Sequence, residues 1–220
     1  YAEGGVLNLA CLSRTLVYTQ SGVDGARLVL PASGDTTGVA DRVAIKNALS
    51  ALSLASGKGT LVLTGAFWVS SEDAATTNTD PGIDVPGNVE IVGTGNRATS
   101  ITVVGGSKCN VFRLFNVSSV AIRNLTLDGN RSDAAMPLTG GSADAWRNAI
   151  RIASTCDNIT IENCTLRGGA YHGCIGVGAI TNFRFINNDC TANGFRGLHL
   201  HQESGIPGEA VITGNRFWSN

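Results

Sequence analysis

Four nine-residue blocks of this chain can be laid over one another place by place, and that self-similarity limits the fold more than any other feature. Ser119–Leu127 (SVAIRNLTL), Asn158–Leu166 (NITIENCTL), Asn182–Cys190 (NFRFINNDC) and Glu209–Phe217 (EAVITGNRF) are apolar at places two, four and nine, with a turn around places five and six. The fourth-place residues Ile122, Ile161, Phe185 and Ile212 lie 39, 24 and 27 residues apart. Upstream of each block runs another short alternating stretch, at 112–114, 150–152, 175–177 and 198–200. Each period thus holds two or three short strands joined by Gly/Asn turns, which is one coil of a parallel β-helix. In-register coils predict a single internal column through Ile122, Ile161, Phe185 and Ile212. The longest period is an ordinary coil with about 15 extra residues between Asp128 and Asn148. An antiparallel sandwich also gives short strands at regular spacing, but it does not explain the place-by-place match.

Composition narrows the function classes. Sixteen Lys+Arg against seventeen Asp+Glu leave a net charge of −1, without the basic excess a nucleic-acid binder carries. No apolar run approaches the length of about 18 residues a membrane helix needs. Twenty-eight glycines and only 15% charged residues fit a turn-rich β surface. The cysteines at 11, 109, 156, 164, 174 and 190 form no C-x-x-C pair, so neither a zinc site nor another metal or cofactor site is expected. Several fall at apolar strand places, Cys164 and Cys190 among them, and buried free thiols are the expectation. Five N-x-S/T matches, at Asn116, Asn124, Asn130, Asn158 and Asn163, are read as by-products of Asn-rich turns. The turn residues Asn124, Asn163 and Asn187 are read as turn formers or as a stacked amide ladder.

Residues 1–30 are read as a neck, a linker or first strands, and 31–220 as the β-helix domain, expected to be incomplete at its C-terminal end because no capping segment follows the last repeat. Between Gly38 and Ser56 the apolar spacing changes to three and four, through Val43, Ile45, Ala48, Leu49 and Leu52. Asp41 sits in the first turn, where the helix dipole favours an acid. The helix is expected to plug the open apolar end of the solenoid, and Gly59–Ser70 to be the strand that follows it.

Two stretches carry a resemblance. Asp35–Ser70 (DTTGVADRVAIKNALSALSLASGKGTLVLTGAFWVSS) resembles the opening of pectate-lyase-like right-handed parallel β-helix proteins, and Leu125–Arg131 (LTLDGNR) resembles a segment common in that superfamily. The superfamily includes alginate epimerase catalytic modules and phage tailspike depolymerases, so the resemblance implies an all-β solenoid with a capping helix. It specifies the reaction poorly, because one fold hosts many chemistries. The epimerase motif Gly-Phe-Asp-Pro-His-Glu has its nearest match at Gly197–Gln202, where His201 falls on the motif's histidine. His199 replaces its aspartate, Gln202 its glutamate, and Arg196 the preceding tyrosine, which argues against epimerase chemistry there.

Strand parity supplies the candidate site. If Leu198 and Leu200 point inward, His199 and His201 point out; by the same alternation Arg151 and Arg113 point out. Stacking then puts all four on one external face, with the 128–148 insertion beside it. Arginine forks onto carboxylates, and a histidine near neutral pH can serve as a base, so an acidic sugar is the matching ligand. His199, His201 and Arg151 are the candidate catalytic residues, and Arg113, Trp146, Asp144 and Glu203 the candidate substrate-binding ones. Tyr171-His172 lies in a turn that could border the same face. A glycosidase would need paired carboxylates, for which Asp128, Asp133, Asp144 and Glu203 are candidates that share no repeat position. The plainer reading is a solvated surface on which these residues coincide.

Three functions remain open. The first is a phage tailspike or tail-fibre-type protein, on a virion or otherwise extracellular, that binds and degrades or only binds a bacterial surface polysaccharide, acidic or neutral. A homotrimer or larger tail assembly goes with that resemblance. The second is a secreted polysaccharide lyase or related enzyme. The third is a structural β-helix with no chemistry.

Overall fold

The computed structural model describes residues 10–11, 14–15, 17–20, 26–54, 58–71, 81–107, 109–131, 147–202 and 208–220. From residue 26 onward the chain winds as a parallel β-helix whose coils present three faces. The first face stacks Ile83–Asp84, Phe112–Phe115, 150–153, 172–178 and Arg196–Gln202, all in parallel. The second stacks Ala26–Pro31, 59–63, Val89–Gly93, Ser118–Arg123, 157–162, 181–186 and Ala210–Thr213. The third stacks 65–69, Thr99–Val103, Thr126–Asp128, Thr165–Arg167, Asp189–Thr191 and Arg216–Trp218. Ahead of the first coil, Val17–Gln20 pairs antiparallel with Ala26–Pro31, and Ala10–Cys11 with Arg14–Thr15.

Alternation along each strand fills the interior. Leu28, Leu61, Ile91, Ile122, Ile161, Phe185 and Ile212 are successive register partners on the second face. The column the repeat implies is therefore present, and its members are buried up to Phe185, with Ile212 half-exposed in the last coil. A second column on the third face runs Phe67, Ile101, Leu127, Leu166, Cys190, Phe217.

The corners explain the asparagines. Asn116, Asn124, Asn130, Asn158, Asn163, Asn182 and Asn187 all hold φ between 50° and 58°, the left-handed region that Asn tolerates better than other non-glycine residues. All five glycosylation-like matches are such corner residues, so the turn geometry accounts for them. The amide ladders lie one step further in. Asn188 donates to the Ile161 carbonyl (2.9 Å) and accepts from Cys164 N (3.0 Å), and Asn215 repeats the pattern one coil on. Asn193 and Asn220 form a second ladder, Asn110 and Asn148 a third. Each satisfies buried backbone groups at a bend, where strand pairing lapses.

The helix Val39–Ser53 buries Ile45, Ala48, Leu49 and Leu52 over the first coil and closes its apolar end. Its acid is not merely a dipole partner. Asp41 is fully buried and accepts hydrogen bonds from Ser33 N (3.0 Å) and Trp68 N (2.9 Å), so it pins the helix to both flanking segments. The exposed Asp35 takes the terminal role, accepting from Thr37 N and Ala40 N. Among the described residues no helix is long and apolar enough to cross a membrane.

Cys109, Cys156, Cys164, Cys174 and Cys190 are buried free thiols. Burial pushes Cys164 and Cys190 up to about 12, which suppresses the reactive thiolate. Alkylation of the denatured, unreduced protein is expected to label all five. Protection of any of them would mean a disulfide that this packing does not contain.

Candidate functional site

The first face carries the sequence-derived candidates. Asp84, Arg113, Arg151, Ile175 and His199 are successive register partners, one per rung. Phe115, Ala153, Val177 and His201 form the neighbouring column two residues along. Five rungs at ~4.8 Å make this strip about 19 Å long from Asp84 to His199. Arg113, Arg151, His199 and His201 thus share one outer face, as the inward Phe112, Leu114, Ile150 and Ile152 require.

Their environments differ. Arg113 forks onto Asp84, Nε to Oδ1 at 2.5 Å and Nη2 to Oδ2 at 2.9 Å, and its guanidinium lies 5.8 Å from the Phe115 ring. Arg151 lies on the outer side by parity but is only 8% exposed, so its guanidinium is largely desolvated. His199 is half-buried and His201 exposed. At the helix end the strip opens into a groove of about 390 Å³ lined by Lys46, Leu49, Asp84, Arg113 and Phe115 among others.

The other end is aromatic. Tyr171 and Phe195 occupy the same corner in successive coils, their rings stacked at 5.2 Å and 17°. The Tyr171 carbonyl holds that corner by accepting from Phe195 N (2.7 Å) and Arg196 N (3.3 Å). The Arg196 guanidinium sits 4.4 Å from the Phe195 ring centre, which is half-exposed. Behind them His172 is fully buried; its ring meets Tyr171 edge-on at 4.3 Å, and its Nε2 is 3.3 Å from His199 Nδ1. Gly169 permits the tight approach, because a Cβ there would overlap the His172 carbonyl oxygen. Burial, then the charges of His199 and Arg196, push His172 down to about 4. Burial, Arg196 and His201 also lower His199 below the usual imidazole range. Both rings are neutral at pH 7.

Asp144, Trp146 and Glu203, with Asp133, lie outside the described residues. Asp128 belongs to the third face, where it accepts from Arg167 Nε at 2.7 Å, so it is not beside the histidines. The second face likewise interleaves charges, Arg123 lying between Glu90 (2.9 Å) and Glu162. Among the described residues, Asp84 is the one carboxylate in the two outer columns, and it is engaged by Arg113. The geometry therefore offers cations, neutral imidazoles and an aromatic corner, a set suited to holding a carboxylated ring; among the described residues of this face no two acids are brought together.

Sequence reasoning did not single out Asp84, Phe195 or Arg196. The signal was present for two of them. Ile83-Asp84 repeats Phe112-Arg113 one coil earlier, and Phe195 falls 24 residues after Tyr171, one full period.

No family model and no curated protein sequence matches the chain. Solved structures do. ORF18 of Geobacillus virus E2 superposes with a TM-score of 0.57 over 85% of this chain and 41% of its own, at 16% identity. The A-module of the Azotobacter vinelandii mannuronan C-5 epimerase AlgE4 gives a TM-score of 0.56 over 84% of this chain and 54% of that one, at 23% identity. The chain thus spans roughly half the length of the structures it matches. What it shares with them is the fold, an all-β solenoid of parallel β-helix type.

Proposed function

We propose that the chain binds an acidic polysaccharide along the strip from Arg113 and Arg151 to His199 and His201, as the β-helix of a phage tail-type protein that recognises a bacterial surface. The observation that carries this reading is the register: Arg113 and Arg151 stand on adjacent rungs of one face, and His199 and His201 stand two rungs beyond Arg151, across Ile175 and Val177, a line that an extended glycan can follow across the strands. Tyr171 and Phe195 supply ring faces at one end and Phe115 at the other. A viral protein and a polysaccharide-modifying module share the fold, which supports the reading without fixing the sugar or the reaction. The finer assignment to the pectate-lyase-like class rests on the helix and the Gly-rich lead-in to the first coil.

The second reading, a lyase, has one observation in its favour: an imidazole stands on the same face as a desolvated arginine. Such an arginine would acidify the proton beside a bound carboxylate, and the imidazole could remove it.

Incubation with a panel of acidic and neutral bacterial polysaccharides tests both, following unsaturated product by absorbance and new reducing ends. Arg151→Ala is expected to weaken retention on an acidic glycan about ten- to a hundredfold, from one lost charge-assisted hydrogen-bonding group worth about 1.5–3 kcal/mol. The loss should be larger at low salt, where charges are least screened. Unchanged affinity with the fold intact would return this face to ordinary solvated surface.

A further inference from the structure

His172 lies behind the proposed glycan strip, packed against the Tyr171 and Phe195 rings, and its one polar contact with the strip is to His199. We infer that His172 acts as a positioning residue that fixes the tautomer of His199, so that His199 presents an N–H to the outer face.

The argument starts from the contact between His172 Nε2 and His199 Nδ1 at 3.3 Å. Two neutral imidazoles meeting this way must share one hydrogen between those nitrogens, and each neutral ring carries a single N–H. Only two arrangements exist. If His199 donates from Nδ1, its outward Nε2 is a bare lone pair, and the hydrogen of His172 sits on Nδ1. If His172 donates from Nε2, the hydrogen of His199 sits on its outward Nε2, and His172 Nδ1 is bare.

The buried end of His172 decides between them. His172 is fully buried, and its Nδ1 has no hydrogen-bond partner among the described residues. A buried N–H with no acceptor is rarer and costlier than an under-filled acceptor. The second arrangement wins: His172 is the Nε2–H donor, His199 accepts at Nδ1 and offers Nε2–H outward. Arg196, close to both rings, opposes a second proton on the pair, in keeping with the lowered range of both imidazoles.

The consequence for the site is a division of roles. His199 Nε2–H is a donor suited to a carboxylate or hydroxyl oxygen of a bound ring. His201, exposed and one column away, makes its ring contact with His199 at 6.4 Å between centroids, too far for the same constraint. His172 therefore does not set its tautomer. This division of roles rests on the glycan-binding reading; the tautomer does not.

The protein has three histidines, and all three belong to this cluster, so the imidazole nitrogens of the whole chain report on the site. Long-range ¹H–¹⁵N correlation on the ¹⁵N-labelled full chain at pH 7 is the test, with His199→Gln and His201→Gln to assign the rings. His172 and His199 are expected as neutral Nε2–H tautomers. His172→Gln, whose amide N–H can donate to the same Nδ1, should keep the His199 tautomer; His172→Phe, which has no donor, should release it into exchange between forms. A wild-type spectrum with His199 as Nδ1–H would overturn the inference, and so would a His172→Phe protein whose His199 tautomer does not change. If the tautomers are as stated but His199→Ala, which has no side-chain donor, retains full glycan affinity with the fold intact, the tautomer inference stands and the glycan reading falls.

Discussion

Phe185→Ala is expected to destabilise the protein by about 3–5 kcal/mol, the usual cost of truncating a fully buried phenylalanine. The ring is fully buried between Ile161 and Ile212, its register partners in adjacent coils, and it stacks against Phe183 at 6.1 Å and Phe217 at 6.3 Å. Three aromatic rings in neighbouring coils leave little freedom to close the void, so the cavity contribution should be nearly complete. Because each coil touches only its neighbours, the loss should also be local. Amide exchange is expected to quicken through residues 183–186 and 210–218, while the amides of 59–69 and 89–103 keep their protection. Urea unfolding followed by hydrogen exchange separates the outcomes. A cost under 1 kcal/mol would contradict the packed column, and uniform loss of protection would show that the solenoid melts as one unit.

Asp41→Ala should cost about 3 kcal/mol or more, although the helical sequence around it suggests far less. An acid in a first helical turn contributes typically 0.3–1 kcal/mol through the dipole. Here the carboxylate also accepts from Ser33 N and Trp68 N, and hydrogen bonds to a charged group are worth about 1.5–3 kcal/mol each. Alanine would leave both backbone donors without this acceptor and loosen the helix from the first coil. Asp35→Ala makes the control, since an exposed N-terminal acceptor costs about 1 kcal/mol. If the two variants melt alike, Asp41 acts only through the dipole and the pin is not important.

The stacking order was legible because the repeat is written in apolar places that cannot be exchanged without turning a strand inside out. Ile122, Ile161, Phe185 and Ile212 could therefore be aligned without coordinates, and Arg113, Arg151 and His199 followed by parity. The buried amides were not legible. Asn187 and Asn188 are adjacent and chemically identical, yet one holds the left-handed corner and the other bonds inside the bend; polarity does not tell which. Burial of His172 was hidden for a related reason. Read as part of a turn, it is assigned no side, whereas it opens the strand 172–178 two residues before the inward Cys174 and is covered by Tyr171, Phe195 and His199. Asp84 escaped notice because it stands on a two-residue strand whose partner is 29 residues away.

One property of the coil reaches beyond the first face. Pairing is in register on both sides of the segment between Arg131 and Arg147: Asp128 still faces Arg167, and Ile150 still faces Cys174. The scaffold has absorbed a coil of 39 residues beside one of 24 without passing the difference on to the next rung. Length is thus a free variable at the corners, while strand positions are locked. A lineage built on such a chain can exchange corner peptides, and with them whatever surface they meet, at little cost to folding, and a protein engineer can do the same. Foreign peptides spliced between 131 and 147 should leave the solenoid unchanged, so the sequence there can diversify quickly on a core that diversifies slowly.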